Sequence, residues 1–278
     1  MLRAIVAAVT IATAATLVAP AAAQDERIAR LAEALHLPEV IGIMQTEGVE
    51  YGEEVGAALL GERAGQGWAA TVAEVYDEAR MSELFFERFE AEIAQSEAAL
   101  TPLIDFFESE QGARIIGLEV SARRALLDDG VDEAAQLRLE ELRADEAPLL
   151  DQIARFVRAN DLLEENVAGG LNSTFGFYMG LIESGAPGFD MSEQEVLAEV
   201  WSQEDEIRAD LEEWLYSFLA LAYHPLDEDV LEDYIAMSRT DEGRALNSAL
   251  FAGFNEMFET LSYELGREAG RVLAAQDI

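Results

Sequence analysis

The chain has 278 residues, half of them hydrophobic, and sets 56 acidic side chains against 18 basic ones for a net charge of −38. Such a field repels nucleic acid and anionic lipid surfaces, and the hydrophobic content excludes a disordered acidic tail. With no cysteine there is no disulfide, thiolate metal site or thiol nucleophile, so the fold must hold by its apolar core.

Residues 1–23 read as a signal peptide. Arg3 supplies the positive start, Ala4 to Val18 the apolar stretch, Pro20 a break, and Ala21-Ala22-Ala23 a small-residue cleavage site before Gln24. A transmembrane anchor needs roughly 20 apolar residues and different flanks. The mature chain is therefore expected to start at Gln24, exported to the periplasm, soluble and without a membrane anchor.

Beyond that point the apolar positions recur with helical period, and no segment alternates as a strand would. Ile28, Leu31 and Leu35 give a short first helix, stopped near Leu37-Pro38. A second runs from about Pro38 to Leu60, where Gly61 and Gly65 to Gly67 break it. Trp68, Val72, Val75 and Tyr76 form a third, and Leu84, Phe85, Phe89 and Ile93 a fourth. Ser96 or Thr101-Pro102 starts the fifth, with Leu103, Ile104 and Phe107. A turn at Ser109 to Gly112 leads into a sixth with Ile115, Ile116, Val120 and Leu127.

Asp128-Asp129-Gly130 is a turn whose acidic spacing does not match a calcium loop. Two connecting helices pass through Leu137 and Leu142, then Leu150, Ile153 and Phe156. Asp161 with Glu164, and Ser192 with Glu195, have the spacing of capping boxes. They open a helix reaching Ile182 and another through Val196 and Val200. Ile207, Leu211, Trp214, Leu215 and Phe218 line a long helix that stops near His224-Pro225. Asp227 is expected to cap the next, and a final helix after Gly243 carries Leu246 to Leu265.

One pattern is written twice. Leu100, Leu103-Ile104 and Ser109-Glu110-Gln111-Gly112 reappear as Leu231, Tyr234-Ile235 and Thr240-Asp241-Glu242-Gly243. Ile153-Ala154-Arg155-Phe156 likewise echoes Ile28-Ala29-Arg30-Leu31. Fixed-offset repetition indicates a duplicated unit. The offset grows from 125 to 131, which a longer third helix in the second half would explain. Ser109 and Thr240 are expected N-caps, and Gly112 and Gly243 allow backbone geometry that a side chain would obstruct.

The expectation is an all-α fold: a duplicated helical array of about ten helices, with a first unit over 24–130, a connecting region over 131–150 and a second unit over 151–278. About five helices are expected per unit, the two units packing face to face. Gly48, Gly52 and Gly56, and Gly176 and Gly180, share helix faces at four-residue spacing. They are read as helix crossings between the two halves. Val167 to Ile182 contains no charged residue, which suits a buried central helix. Burial there would leave the glycosylation-like triplet Asn172-Ser173-Thr174 unused.

The stretch Leu103-Ile104-Asp105-Phe106-Phe107-Glu108-Ser109-Glu110-Gln111-Gly112-Ala113-Arg114 resembles the signature of the bacterial family "domain of unknown function 2059". In that signature an aromatic pair precedes a Ser, two residues, a Gly and a basic residue. The likeness covers Phe89 to about Arg124, with a second match over Tyr234 to Leu250. It implies an exported helical bundle, and it carries no catalytic residue.

No zinc-protease, phosphate-loop, nucleophile-elbow or dinucleotide motif is present. His36 and His224 each stand beside a Pro at a helix end, where a cap or surface role suits them better than base or ligand. No catalytic, cofactor-binding or metal residue is therefore assigned, and no cofactor is expected. The function expected is a non-enzymatic binding or scaffold module of the cell envelope, with a protein partner there. The alternative is a carboxylate-dependent hydrolase acting on envelope polymers, recognisable by a polar cleft with two acidic groups of raised pKa. A third reading is weak divalent-cation binding by acidic clusters.

Overall fold

The computed structural model describes residues 19–95 and 100–275. Most of the expected leader, and Ser96 as a helix start, lie outside that range. The described residues form thirteen α-helices and no strand, an all-α fold with more helices than the ten or so expected. No helix among them is long and apolar enough to cross a membrane.

The first six helices are α1 (Ala19–Ala34), α2 (Leu37–Val55), α3 (Gly65–Val75), α4 (Glu78–Gln95), α5 (Leu100–Phe107) and α6 (Glu110–Ala125). A π-turn at Gly56–Leu60 and a 3-10 turn at Gly61–Arg63 lead from α2 to α3. Next comes α7 (Asp129–Ala144), capped by the Asp128 carboxylate. The last six are α8 (Pro148–Ala159), α9 (Leu162–Glu183), α10 (Glu193–Ser202), α11 (Glu204–Tyr223), α12 (Glu228–Ser238) and α13 (Asp241–Ala274).

Helices α1 to α6 and α8 to α13 follow one another with the same neighbours. The first packs on the fifth in each set, the second on the third and fourth, and the fifth on the sixth. Each set therefore holds six helices rather than five. The sixth helix of each also packs on the fourth of the other, α6 on α11 and α13 on α4. One hydrophobic core consequently runs through both sets, from Leu31 and Phe85 to Leu219 and Leu261. A smaller one, built on Val167, Leu171, Val196 and Val200, seats α10 against α9.

Local chemistry repeats with the helices. Ser109 and Thr240 both stand in extended backbone and accept the N–H of Gly112 and Gly243, at 3.1 and 3.0 Å. A Cβ at either glycine would fall within 3.0 Å of the preceding helix backbone, at Phe106 and Phe107 or at Met237 and Ser238. These glycines answer to close backbone approach. His36 and Asp161, 125 residues apart, both take left-handed backbone with φ near 53° and 52° ahead of the second helix.

Several expectations are corrected. The third helix is not longer in the second set: α10 has 10 residues against 11 in α3. The second helix is the longer one, with 22 residues in α9 against 19 in α2. Asp161 and Glu164 form no capping box, because the left-handed backbone makes no side-chain cap and Glu164 is bound by Arg208 at 2.6 and 2.9 Å. Ser192 and Glu195 do form one. Asp227 holds the N-cap position without a side-chain bond. Thr101 lies inside α5, and its hydroxyl accepts from Arg27 at 2.8 Å.

The glycine stripes cross within the sets, not between them. Gly48, Gly52 and Gly56 receive Tyr76, Val72 and Trp68 of α3 or its C-cap, and the Trp68 indole N–H donates to the Gly52 carbonyl at 2.8 Å. Gly180 faces the backbone of Tyr263 and Arg267 on α13, while Gly266 faces Phe177 on α9. The glycine between sets is Gly253, which accommodates Phe85. The uncharged run on α9 buries Val167, Leu171, Gly176, Gly180 and Leu181, but Asn172 is exposed.

A pocket between the helix sets

Where α6 meets α11 and α13 meets α9, the packing leaves a pocket of about 570 Å³. Its walls come from both sets. Trp214, Leu215, Phe218 and Leu219 project from α11, and Leu246, Leu250, Phe254 and Phe258 from α13. Helical period places each group on one face. On α9, Gly169 and Gly170 present backbone rather than side chain to the space, with Asn166 and Ser173 a turn to either side. Trp214, Phe218, Phe251, Phe254 and Phe258 are only partly buried despite their size, as expected of side chains that border a void. Such a volume and lining match those of small-molecule sites.

The most deeply buried stretch of lining holds the polar chemistry. Tyr223, at 0% exposure, donates its hydroxyl to Glu119 at 2.7 Å, and the Tyr234 hydroxyl also favours the charged form of this carboxyl. Phe156 packs against both tyrosine rings, with centroids 5.5 and 4.8 Å away. Burial pushes the Glu119 carboxyl up to about 7, against the opposing pull of the two tyrosine hydroxyls. Burial also drives both tyrosines well above their ordinary value, and the Glu119 charge adds to it.

One turn along α6 from Glu119, Arg123 is already committed. Its guanidinium grips Glu47 of α2 at 3.0 and 2.6 Å and lies over the Trp214 ring, 5.6 Å from the centroid. The pocket thus contains two carboxylates, one matched by a cation and one bonded to a neutral tyrosine hydroxyl. A second pocket, of about 340 Å³, shares Met44, Glu47, Gly170, Ser173 and Phe258 with the first and extends to the half-exposed Tyr51.

The remaining polar side chains of the lining are amides and hydroxyls, Ser173 and Asn255 among them. Asn160, Asn166 and Asn247 each donate one amide N–H to a main-chain carbonyl, at 3.1, 2.7 and 2.6 Å, which leaves the amide oxygen and the second N–H. His36 and His224 sit exposed at helix ends, away from the lining. Among the described residues no cluster of three or more His, Asp or Glu side chains could hold a metal ion.

Sequence reasoning assigned none of these residues. A readable signal did exist for Glu119: it lies three and four residues beyond the buried Ile116 and Ile115, so it shares the apolar face of α6. Nothing local marks Tyr223 and Tyr234 as its partners. No family model, no curated protein and no solved structure matches the chain.

Proposed function

We propose that this is an exported, periplasmic binding protein whose two helix sets hold a small, largely apolar molecule in the pocket between them. One observation carries the reading: a space of about 570 Å³ lined by Trp214, Phe218, Leu250 and Phe254 sits where two sets of six helices interlock. A scaffold acting through its outer surface has no use for such a recess, whereas small-molecule sites are concave and largely apolar. Arg3, the apolar run from Ala4 to Val18 and Ala21-Ala22-Ala23 support export, in keeping with the resemblance over Leu103 to Arg114.

Hydrolysis by paired carboxylates draws less support, because Arg123 binds Glu47 and leaves Glu119 as the single unmatched carboxyl of the pocket. Titration of the mature protein with N-phenyl-1-naphthylamine, uncharged at neutral pH, tests the reading. Saturable binding of one molecule per chain is expected, weakened at least tenfold by Leu250→Trp in a variant that keeps its helix content. Absence of saturable binding of this probe would remove the proposal.

A further inference from the structure

The chemistry of the pocket also constrains what its occupant must be, an inference that rests on the binding reading above. We propose that the pocket selects amphiphilic monocations: an amine whose ammonium group pairs with Glu119 while its apolar body lies along Trp214, Phe218, Leu250 and Phe254.

Three observations lead there. The first is an unmatched carboxylate. Glu119 receives the neutral Tyr223 hydroxyl and no cation, and the one arginine of the lining, Arg123, is held by Glu47 and Trp214. A partly buried acid in apolar surroundings is costly to ionise unless something pairs with it. The second is a set of acceptors: Asn160, Asn166 and Asn247 each commit one amide N–H to a main-chain carbonyl, which leaves their amide oxygens able to accept. A head group with several N–H bonds can use these acceptors, beside Ser173 and Asn255, which can donate as well as accept. The third is the aromatic surround. Phe156, Tyr223 and Tyr234 pack within 6.5 Å of one another beside Glu119, and ring faces attract cations.

The charge of the whole chain acts in the same direction. A field set by −38 concentrates cations and repels fatty-acid anions at the entrance. The other titratable groups of the lining are Glu47 on α2, Arg123 on α6, Tyr223 on α11 and Tyr234 on α12; α5, α8, α9 and α13 contribute none. Because Glu119 titrates near neutrality, pairing with an ammonium ion would draw it fully into the ionised form, so amine affinity should rise with pH through about 7.

Dodecylamine, dodecanol and dodecanoic acid, each kept below its aggregation threshold, separate head-group charge from chain length. Binding is followed calorimetrically on the mature protein in high salt, where contributions from surface charge are screened. At pH 8 the amine should bind at least tenfold more tightly than the alcohol and the acid, and about tenfold more weakly at pH 5.5. Glu119→Gln should bring the amine-to-alcohol ratio close to one. Tyr223→Phe, which removes a hydrogen bond from the carboxylate, should move the amine's pH profile upward. Should Glu119→Gln fail to fold, that displaced profile decides the matter. Equal binding of alcohol and amine by the wild type, an undiminished preference in Glu119→Gln, or an unmoved profile in Tyr223→Phe would each overturn the assignment. If the alcohol binds with no amine preference, the binding reading survives and only the head-group assignment falls.

Discussion

Tyr223 and Glu119 stand 104 residues apart and meet in a 2.7 Å hydrogen bond that ties α11 of the second helix set to α6 of the first. The bond sits in a region dry enough to hold Glu119 at about 7 rather than 4.5. The native state therefore binds this proton more tightly than the unfolded chain does. The stability so gained is complete below about pH 4.5 and is lost as the pH rises through about 7. Its ceiling is roughly 3 kcal/mol at 1.36 kcal/mol per pKa unit. Chemical denaturation of the wild type and Glu119→Gln between pH 4.5 and 8 should show the variant gaining relative stability with pH. A flat difference would mean that the carboxyl is not desolvated.

Gly266 lets α13 approach α9 so closely that a Cβ would fall within 3.0 Å of the Phe177 backbone, which cannot step aside. Gly266→Ala should accordingly destabilise by about 2 kcal/mol or more, as overpacked cores do. Gly117 on α6 meets nothing within 4 Å. Gly117→Ala should stabilise by about 0.5–1 kcal/mol through helix propensity. Urea midpoints of the two variants should move in opposite directions.

The twin turns offer a matched comparison. Ser109→Ala and Thr240→Ala each remove one side-chain acceptor from a helix N-terminus, and each should cost about 1 kcal/mol. Gly112→Ala and Gly243→Ala force a Cβ into main-chain atoms and should cost more than the caps beside them. Thermal melts of the four variants settle the order.

Trp214 borders the pocket, whereas Trp68 is buried under Gly56 and Trp201 is 56% exposed on α10. Ligand entry should alter the emission of Trp214 alone. Trp214→Phe should abolish the fluorescence change on binding, and Trp201→Phe should preserve it. Loss of the signal in Trp201→Phe instead would place the ligand on α10.

Helix faces were readable because burial imposes a 3.6-residue period, and the buried Phe85, Phe89 and Ile93 of α4 stand out on that basis. The capping chemistry of Ser109, Thr240 and Ser192 was equally local and equally visible. Asp161 misled because a cap depends on backbone conformation as well as residue type, and its left-handed φ turned the side chain from that task. The glycine stripes announced close packing without saying against what. Gly48 and Gly52 accommodate side chains of their own set, and only Gly253 marks contact between sets.

The amino-acid order by itself settled what short-range physics controls: where helices begin, which faces are greasy, and that the same turn is built at Ser109 and at Thr240. Three-dimensional packing decided the rest. Interlocking α6 with α11 and α13 with α4 opened a void between the sets, and it placed one carboxylate out of 56 acidic side chains beside two tyrosines and away from any free cation. Local period placed Glu119 on the apolar face of α6, but nothing local names its partner Tyr223, which lies 104 positions further along the chain.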